Sequence, residues 1–389
     1  MHEAPSGPPP GALREVATVF LRLGLTAFGG PAAHIAMMRR ELVQQRGWVT
    51  DQHFLDLLGA TNLIPGPNST EMTIHLGYHR AGWRGLIVAG TLFILPAMCM
   101  VLAFAWAYVR YGATPEATWL LYGIKPVIIA IVAQALWGLA HTALKTPLLI
   151  AVCAGALALY VLGGNEIALL FGGGIVLVLV TMVRGARDTS GSASVVAPFL
   201  GISALGLVAK GIVAYSPALL FFTFLKIGSV LYGSGYVLLA FMRNDFVVRL
   251  GWLTEVQLLD AVAVGQFTPG PVFTTATFVG YLVGGLPGAL LTTLGIFLPA
   301  FVFVALTGPI VPRLRRWPLL GAMLDGVNVA AVGLMAAVLV VLARNAVVDV
   351  FTLALTAAAG VVLLRTNLNS AYLVVAGGLF GVAYHALLA

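Results

Sequence analysis

Apolar residues run through this chain in long, nearly unbroken stretches, such as 86–108 and 148–162, separated by short segments carrying Arg, Lys, Gly and Pro. Runs of about 20 apolar residues match helices that span a hydrocarbon layer of about 30 Å. Strands of a membrane barrel would instead alternate in polarity over about ten residues, and these runs are continuous and longer. The pattern predicts membrane segments near 16–35, 51–79, 84–109, 119–140, 146–162 and 166–184. It predicts them again near 220–238, 253–283, 285–308, 318–343, 346–364 and 370–387, with an unmatched run at 195–214 between the two sets. The expected fold class is an all-α polytopic membrane protein.

The two sets are copies. At an offset of 204, Phe20, Gly29, Arg39, Trp48, Asp56, Pro65, Gly66, Pro67 and Thr70 align with Phe224, Gly233, Arg243, Trp252, Asp260, Pro269, Gly270, Pro271 and Thr274. After a one-residue deletion, Gly77, Tyr78, Pro96 and Gly123 pair with Gly280, Tyr281, Pro299 and Gly326. Six segments per copy and one extra crossing turn the second copy upside down, as in transporters built from inverted repeats. The expected organisation is a loose tail at 1–15, a first repeat at 16–184, a linker at 185–219 containing the extra helix 195–214, and a second repeat at 220–389. With the N-terminus inside, cytoplasmic loops hold twelve Lys/Arg, Arg243 and Arg249 among them, and external loops six, including Arg39, Arg40 and Arg46. The element 51–79 has a second reading, because Pro65-Gly66-Pro67 interrupts it and also suits a re-entrant hairpin. One hairpin per half gives eleven crossings and parallel halves, which the charge distribution favours less.

Composition narrows the function classes. Charged residues make up 9% and the AVILMFWYC set 60% of 389 residues, and the mean hydropathy is +0.99, which excludes an ordinary soluble domain. The net charge of +7 comes from single or short basic clusters at helix ends, so it reads as topology signal rather than a nucleic-acid surface. Cys99 and Cys153 lie in apolar runs without metal-site spacing and read as buried thiols. The first fifteen residues lack the basic start, apolar stretch and cleavage site of a secretory signal.

The candidate chemistry sits at the breaks. In Leu63-Ile64-Pro65-Gly66-Pro67-Asn68-Ser69-Thr70, one helix ends and another begins at membrane depth, and backbone exposed there needs protein or a water-filled cavity to satisfy it. The new helix start places amides with Asn68, Ser69 and Thr70 at a positive dipole end suited to an anion. Pro269-Gly270-Pro271 repeats the break with Thr274 and Thr275, so two helix starts are expected to share an anion. Arg22 and Lys226 occupy matching places inside the first helix of each half. Lys125 is a third cation at depth, opposite the neutral Asn328 in the repeat. Together they point to an anionic cargo, with snorkelling to an interface as the other reading of Arg22. Gly29, Gly30, Gly233 and Ser234 permit close backbone approach, for an anion cradle or for helix packing. Glu71, His75 and His79 share one helix face. Glu71 and His75 are candidates for ion coupling, while a metal site is a weak reading without further ligands. Asp56 and Asp260 suit coupling or an interfacial cap.

The stretches FLRLGLTAFGGPAAHIAMMRREL, RGWVT, LIPGPNSTEMTIHLGY and TLFILPA resemble the chromate ion transporter superfamily, in its long two-domain class. The resemblance spans the chain and carries onto Arg22, Gly29, Gly30, Pro31, Glu41, Trp48, Pro65, Gly66 and Pro67, then onto Gly233, Trp252, Pro269, Gly270 and Pro271. It implies efflux of chromate across the inner membrane by a multi-pass transporter coupled to the proton gradient or membrane potential. The sequence departs at Tyr232-Gly233-Ser234-Gly235, which replaces FGGP, and at the polar Asn68-Ser69-Thr70-Glu71. The expected partners are a chromate or sulfate-like oxyanion, a coupling proton or other ion and membrane lipid, with no nucleic acid and no cofactor. A homodimer stays open. The competing readings are a transporter of sulfate or another oxyanion, an anion channel, and an intramembrane enzyme, for which only Glu71, His75 and His79 approach a reactive set.

Overall fold

The computed structural model describes residues 9–187, 213–232, 235–307, 318–366 and 368–388, and among them every regular element is helical. The predicted extra helix at 195–214 and most of the linker lie outside the described residues. Helix starts are legible in the chain. Thr114, Thr146 and Ser216 each accept a backbone N–H with the side-chain oxygen, and Pro115, Pro147 and Pro217 follow, where a missing N–H costs nothing.

The first predicted segment is not a single rod. Helix α1 (Ala12–Thr26) and helix α2 (Gly30–Met38), which continues through a π-helical stretch Arg39–Gln45, are joined where Gly29 and Gly30 take φ of 101° and 76°. The chain folds back on itself, and Trp48 Nε1 donates to Glu15 Oε1 at 3.0 Å while Arg46 reaches the same carboxylate. This is a re-entrant helical hairpin, turned by two left-handed glycines within a stretch whose hydropathy reads straight on.

A second hairpin follows. Helix α3 (Asp51–Thr61) and the first part of α4 (Asn68–Tyr111) enclose the Pro-Gly-Pro break. Their outer ends lie together, with the rings of His53 and His79 4.9 Å apart and Arg80 bonded to Glu15 at 2.7 Å. The hairpin reading of 51–79 is therefore the one found. Ala81 and Gly82 then kink the helix, and 83–111 crosses the layer. Helices α5 (Pro115–Ala143), α6 (Pro147–Val161) and α7 (Glu166–Arg187) complete four crossings. With two hairpins per half rather than one, the number of crossings stays even and the inversion survives.

The second half repeats the plan. Helix α8 (Pro217–Val230) and helix α9 (Leu238–Met242) with its π-helical extension Arg243–Arg249 form one hairpin. Helix α10 (Glu255–Phe267) and the start of α11 (Thr275–Thr307) form the other, and α11 kinks at Gly284 and Gly285. Their outer ends meet where Trp252 Nε1 donates to Val213 O at 2.6 Å and Tyr215 packs on Trp252. Helices α12 (Pro318–Ala346), α13 (Val350–Arg365) and α14 (Ser370–Leu388) follow.

The crossing parts of α4 and α11 run antiparallel. Leu86 clusters with Val304, Gly90 abuts Phe301, and Ile94 shares a cleft with its repeat partner Phe297, so numbers fall on one helix as they rise on the other. This is the signature of a pseudo-two-fold axis in the membrane plane. The halves also exchange helices. Gly123 of α5 abuts Gly377 and Gly381 of α14, and its counterpart Gly326 of α12 abuts Gly173 of α7, small residues letting the backbones approach. At the start of α13, Asp349 accepts the Thr352 N–H and the Tyr122 hydroxyl of α5. Burial raises its carboxyl, but these bonds outweigh that and hold it below the usual aspartate range.

The hairpins redistribute the charges. Arg39, Arg40 and Arg46, expected outside, lie on the face of the N-terminus, and Arg243 and Arg249, expected inside, lie on the opposite face, because each hairpin returns to the side it left. Among the described residues, Arg14, Arg39, Arg40, Arg46, Arg80, Arg84, Lys145, Arg184 and Arg365 lie toward the first face, and Arg110, Arg243, Arg249 and Arg344 toward the second.

Candidate functional site

The hairpin tips meet at depth. Gly66 donates its N–H to Leu231 O at 2.8 Å, and Gly270 donates to Ala27 O at 2.8 Å. Both pairs are repeat equivalents, so each Pro-Gly-Pro break is fastened to the first hairpin of the opposite half. Only the middle residue of Pro-Gly-Pro has the N–H for this bond. Gly66 and Gly270 make it at φ of 139° and 90°, which L side chains rarely adopt.

Past the first tip, the half-helix 68–80 carries polar groups into the interior. Asn68 Nδ2 donates to Asn62 Oδ1 at 2.7 Å. Ser69, Thr70, Glu71 and His75 are buried, Glu71 completely. Its carboxyl curls under the tip, where a methyl on Gly66 would collide with it. Both Glu71 oxygens, Thr70 Oγ1 and His75 Nε2 lack a hydrogen-bond partner among the described residues. So does Nδ1 of buried His34 in α2, whose Nε2 donates to Ala27 O at 3.0 Å. Each unmade bond of this kind costs about 1–3 kcal/mol, so the first break stores unspent polar capacity. The second break stores none, because Thr274 Oγ1 donates to Pro271 O at 2.8 Å and Thr275 Oγ1 to Val272 O at 2.7 Å.

A cavity of about 340 Å³ lies between the halves on the first face, lined by Asn62, Asn68, Thr142, Lys145, Asp325 and Asn328. Its volume is in the range of small-ligand sites. It reaches the start of the half-helix at Asn68. Among the described residues, Lys145 has no carboxylate within 4 Å.

The cations singled out from sequence are all paired. Arg22 meets Glu41 at 2.5 Å, and Glu41 also accepts from Arg46 at 2.6 Å. In the second half Lys226 meets Asp245 at 2.6 Å, with Arg249 on the same carboxylate at 3.0 Å. Glu41 and Asp245 are repeat partners, so these triads tie together the two arms of the first hairpin in each half. Lys125 meets buried Asp260 at 3.1 Å, and Asp260 accepts the Tyr108 hydroxyl at 2.9 Å. Of the two readings of Asp260, coupling or an interfacial cap, the cap gives way to a buried ion pair linking α4 and α5 to α10. Gly29 and Gly30 form a tip, while Gly233 and Ser234 lie outside the described residues.

Reasoning from sequence missed Asn62, Thr142, Lys145 and Asp325, and it named Asn328 only as the partner of Lys125. The signal was faint. Each is one polar residue near the end of an apolar run, and only the fold gathers them around the first break.

The sequence profile of the family described as Chromate transporter matches residues 14–179 and 218–382. The chain is 34% identical to the "Chromate transport protein" of Cupriavidus metallidurans over 392 residues, covering 100% of this chain and 96% of the relative. It is 33% identical to the "Chromate transport protein" of Pseudomonas aeruginosa, covering 96% and 93% of the two chains. It is 32% identical to the "Probable chromate transport protein" of Synechococcus elongatus, covering 88% and 87%. No solved structure matches the chain.

Proposed function

This chain belongs to the chromate transporter family, and from that premise we propose that it exports chromate from the cytoplasm of the cell across the inner membrane by alternating access. One observation carries the reading: a polar cavity reaches Asn68 from the first face while the reciprocal tip bonds, Gly66 to Leu231 and Gly270 to Ala27, stand between it and the second. Nine basic residues against four mark the first face as cytoplasmic, so the described state is open inward. The outer side is closed where Lys125 meets Asp260 and Tyr108. Lys125 and Asn328 are repeat partners, so one position latches the outer side and lines the open cavity on the inner side. Opening outward breaks the latch and releases the Lys125 ammonium to the anion.

Chromate is a tetrahedral dianion. Lys145 attracts it at the mouth, and Asn62, Asn68 and the amides of the half-helix receive it at the tip. Glu71 lies one turn along the same half-helix with its carboxyl under the tip glycine, and its ionised form would repel the dianion. Anion binding is therefore linked to protonation of Glu71, which supplies the coupling. A second reading, sulfate as cargo, is favoured by the donor set itself, since Asn amides, a Thr hydroxyl and one ammonium suit any tetrahedral dianion.

The test is chromate uptake into inverted vesicles under an imposed proton gradient, with sulfate as competitor. The expected result is saturable, gradient-dependent uptake; uptake that never saturates overturns the carrier. Strong inhibition by sulfate, without chromate uptake, moves the assignment to sulfate. Lys145→Ala is expected to raise KM about tenfold, the worth of one charge-assisted contact near 1.5 kcal/mol, with little change in unfolding midpoint because the residue is exposed. Glu71→Gln is expected to flatten the pH dependence of uptake, and an unaltered pH profile removes Glu71 from coupling.

A further inference from the structure

Four titratable side chains line the second hairpin from the first face to its tip. His53 of α3 and His79 of α4 pack with ring centroids 4.9 Å apart at a tilt of 47°, beside Arg80, whose guanidinium is bonded to Glu15. His75 lies one turn deeper and Glu71 one turn deeper again, a spacing of four residues that stacks side chains on one helix face. His75 and Glu71 are buried, and His75 Nε2 and both carboxylate oxygens are unpartnered. Nine residues separate Arg80 from Glu71, a rise of about 13 Å, close to half the hydrocarbon thickness. The stack thus ends near the middle of the layer.

The second half has nothing comparable. The matching positions hold Gln257, the Phe278-Val279 pair, Leu282 and Thr275, and Thr275 is hydrogen-bonded within its own turn. The repeats therefore share a backbone plan while one carries a ladder of exchangeable groups and the other carries none. Packing requires neither buried His75 nor buried Glu71, since the second half builds the same hairpin without them.

We propose that Glu71, His75 and the His53–His79 pair form a one-sided proton path between the cytoplasmic face and the hairpin tip, separate from the anion cavity. The inference rests on the transport reading above and names the route of its coupling proton. The histidine pair takes a proton from water at the face and passes it to the His75 ring, which releases it from Nε2 to the Glu71 carboxylate; Glu71 is left as the neutral acid that admits the dianion and the ring returns to its neutral form. The groups facing this route from neighbouring elements are Tyr232 of the opposite first hairpin near Glu71, His53 near His75, and Arg80 with Glu15 near His79. Met38 of α2, one turn after buried His34, accepts from Thr73 on the same half-helix. Arg80 is paired with Glu15, a carboxylate that Arg46 also shares, so its charge beside the histidine pair is offset only in part.

The experiment uses the full chain in liposomes, with two readouts: chromate counterflow at equal pH on both sides, and chromate uptake driven by a pH gradient, with internal pH followed by a trapped dye. His75→Gln keeps a polar side chain without a titratable ring, and His79→Gln interrupts the path nearer the surface. Both variants are expected to keep counterflow within about twofold of wild type and to lose tenfold or more of gradient-driven uptake and of the accompanying proton movement. His75→Glu restores a titratable group and is expected to recover part of the driven uptake. Driven uptake retained in both Gln variants overturns the path. Counterflow and driven uptake lost together from monodisperse protein also overturn it, because the histidines then serve the anion or the fold. Absence of counterflow in wild type instead overturns the chromate reading, and the same split is then read with sulfate as the exchanged anion.

Discussion

Lys125→Met is expected to destabilise the folded protein by about 3–5 kcal/mol, the range for removing one partner of a buried ion pair. Asp260 is almost wholly enclosed, so loss of the ammonium leaves its carboxylate with only the Tyr108 hydroxyl. The partner substitution separates stability from function. Lys125→Met with Asp260→Leu replaces the pair by apolar groups, and such replacement is often neutral for stability. The double variant is expected to recover most of the lost denaturation midpoint in detergent and to remain deficient in transport, because the outer side no longer carries a polar latch and the released cation is absent from the anion path. A double variant that regains stability and full transport would show that the pair only holds α10 against α4 and α5. Arg22→Ala sets the contrast. Arg22 is half exposed and Glu41 keeps Arg46, so the stability loss is expected to stay near the 1 kcal/mol ceiling of exposed pairs.

That contrast bears on what the chain revealed before its fold was known. The duplication and the two Pro-Gly-Pro breaks follow from residue spacing alone, because repeats and helix breakers act through local rules. Re-entrant hairpins do not, since a helix that turns back at mid-depth is as apolar as one that crosses. The available signal was Gly29-Gly30 followed by Arg39, Arg40 and Glu41, too many charges for a segment still within the membrane. Carboxylates at the repeat offset, Glu41 and Asp245, were equally visible beside Arg22 and Lys226, yet pairing across a hairpin requires knowing that the hairpin exists. The cavity was hidden for a different reason. Asn62, Thr142, Lys145, Asp325 and Asn328 come from three separate stretches, and only the exchange of helices between halves brings them together.

The asymmetry between the breaks also explains why a duplicated chain is not functionally duplicated. Identical backbone bonds at both tips give the halves a common pivot, and that demands glycine on both sides. The polar groups obey no such demand. Thr274 and Thr275 spend their hydroxyls on their own turns, whereas Thr70, Glu71 and His75 leave donors and acceptors free for exchange. In the proposed cycle one half supplies the exchangeable proton, while the other contributes Asp325 and Asn328 to the cavity wall and Asp260 to the buried pair with Lys125.

Gly66→Ala is expected to damage both the fold and the seal between the halves. It forces an L residue to φ of 139°, a strain of about 1–3 kcal/mol, and drives the new carbon into the Glu71 carboxyl. The bond to Leu231 O then lengthens or breaks, and the seal between the halves goes with it. The two costs are separable. Gly66→Ala combined with Glu71→Ala removes the collision and keeps the strain, so it is expected to regain part of the denaturation midpoint lost by the single variant. It is not expected to regain proton-driven uptake, because the exchangeable carboxyl is gone. Gly270→Ala supplies the control. It carries the strain at φ of 90° and meets Ala97 rather than an acid, so no shortening of Thr275 is expected to rescue it. If Glu71→Ala rescues Gly270→Ala as well as Gly66→Ala, the benefit is a general stabilisation from losing a buried acid, and the contact between tip and carboxyl is not its cause.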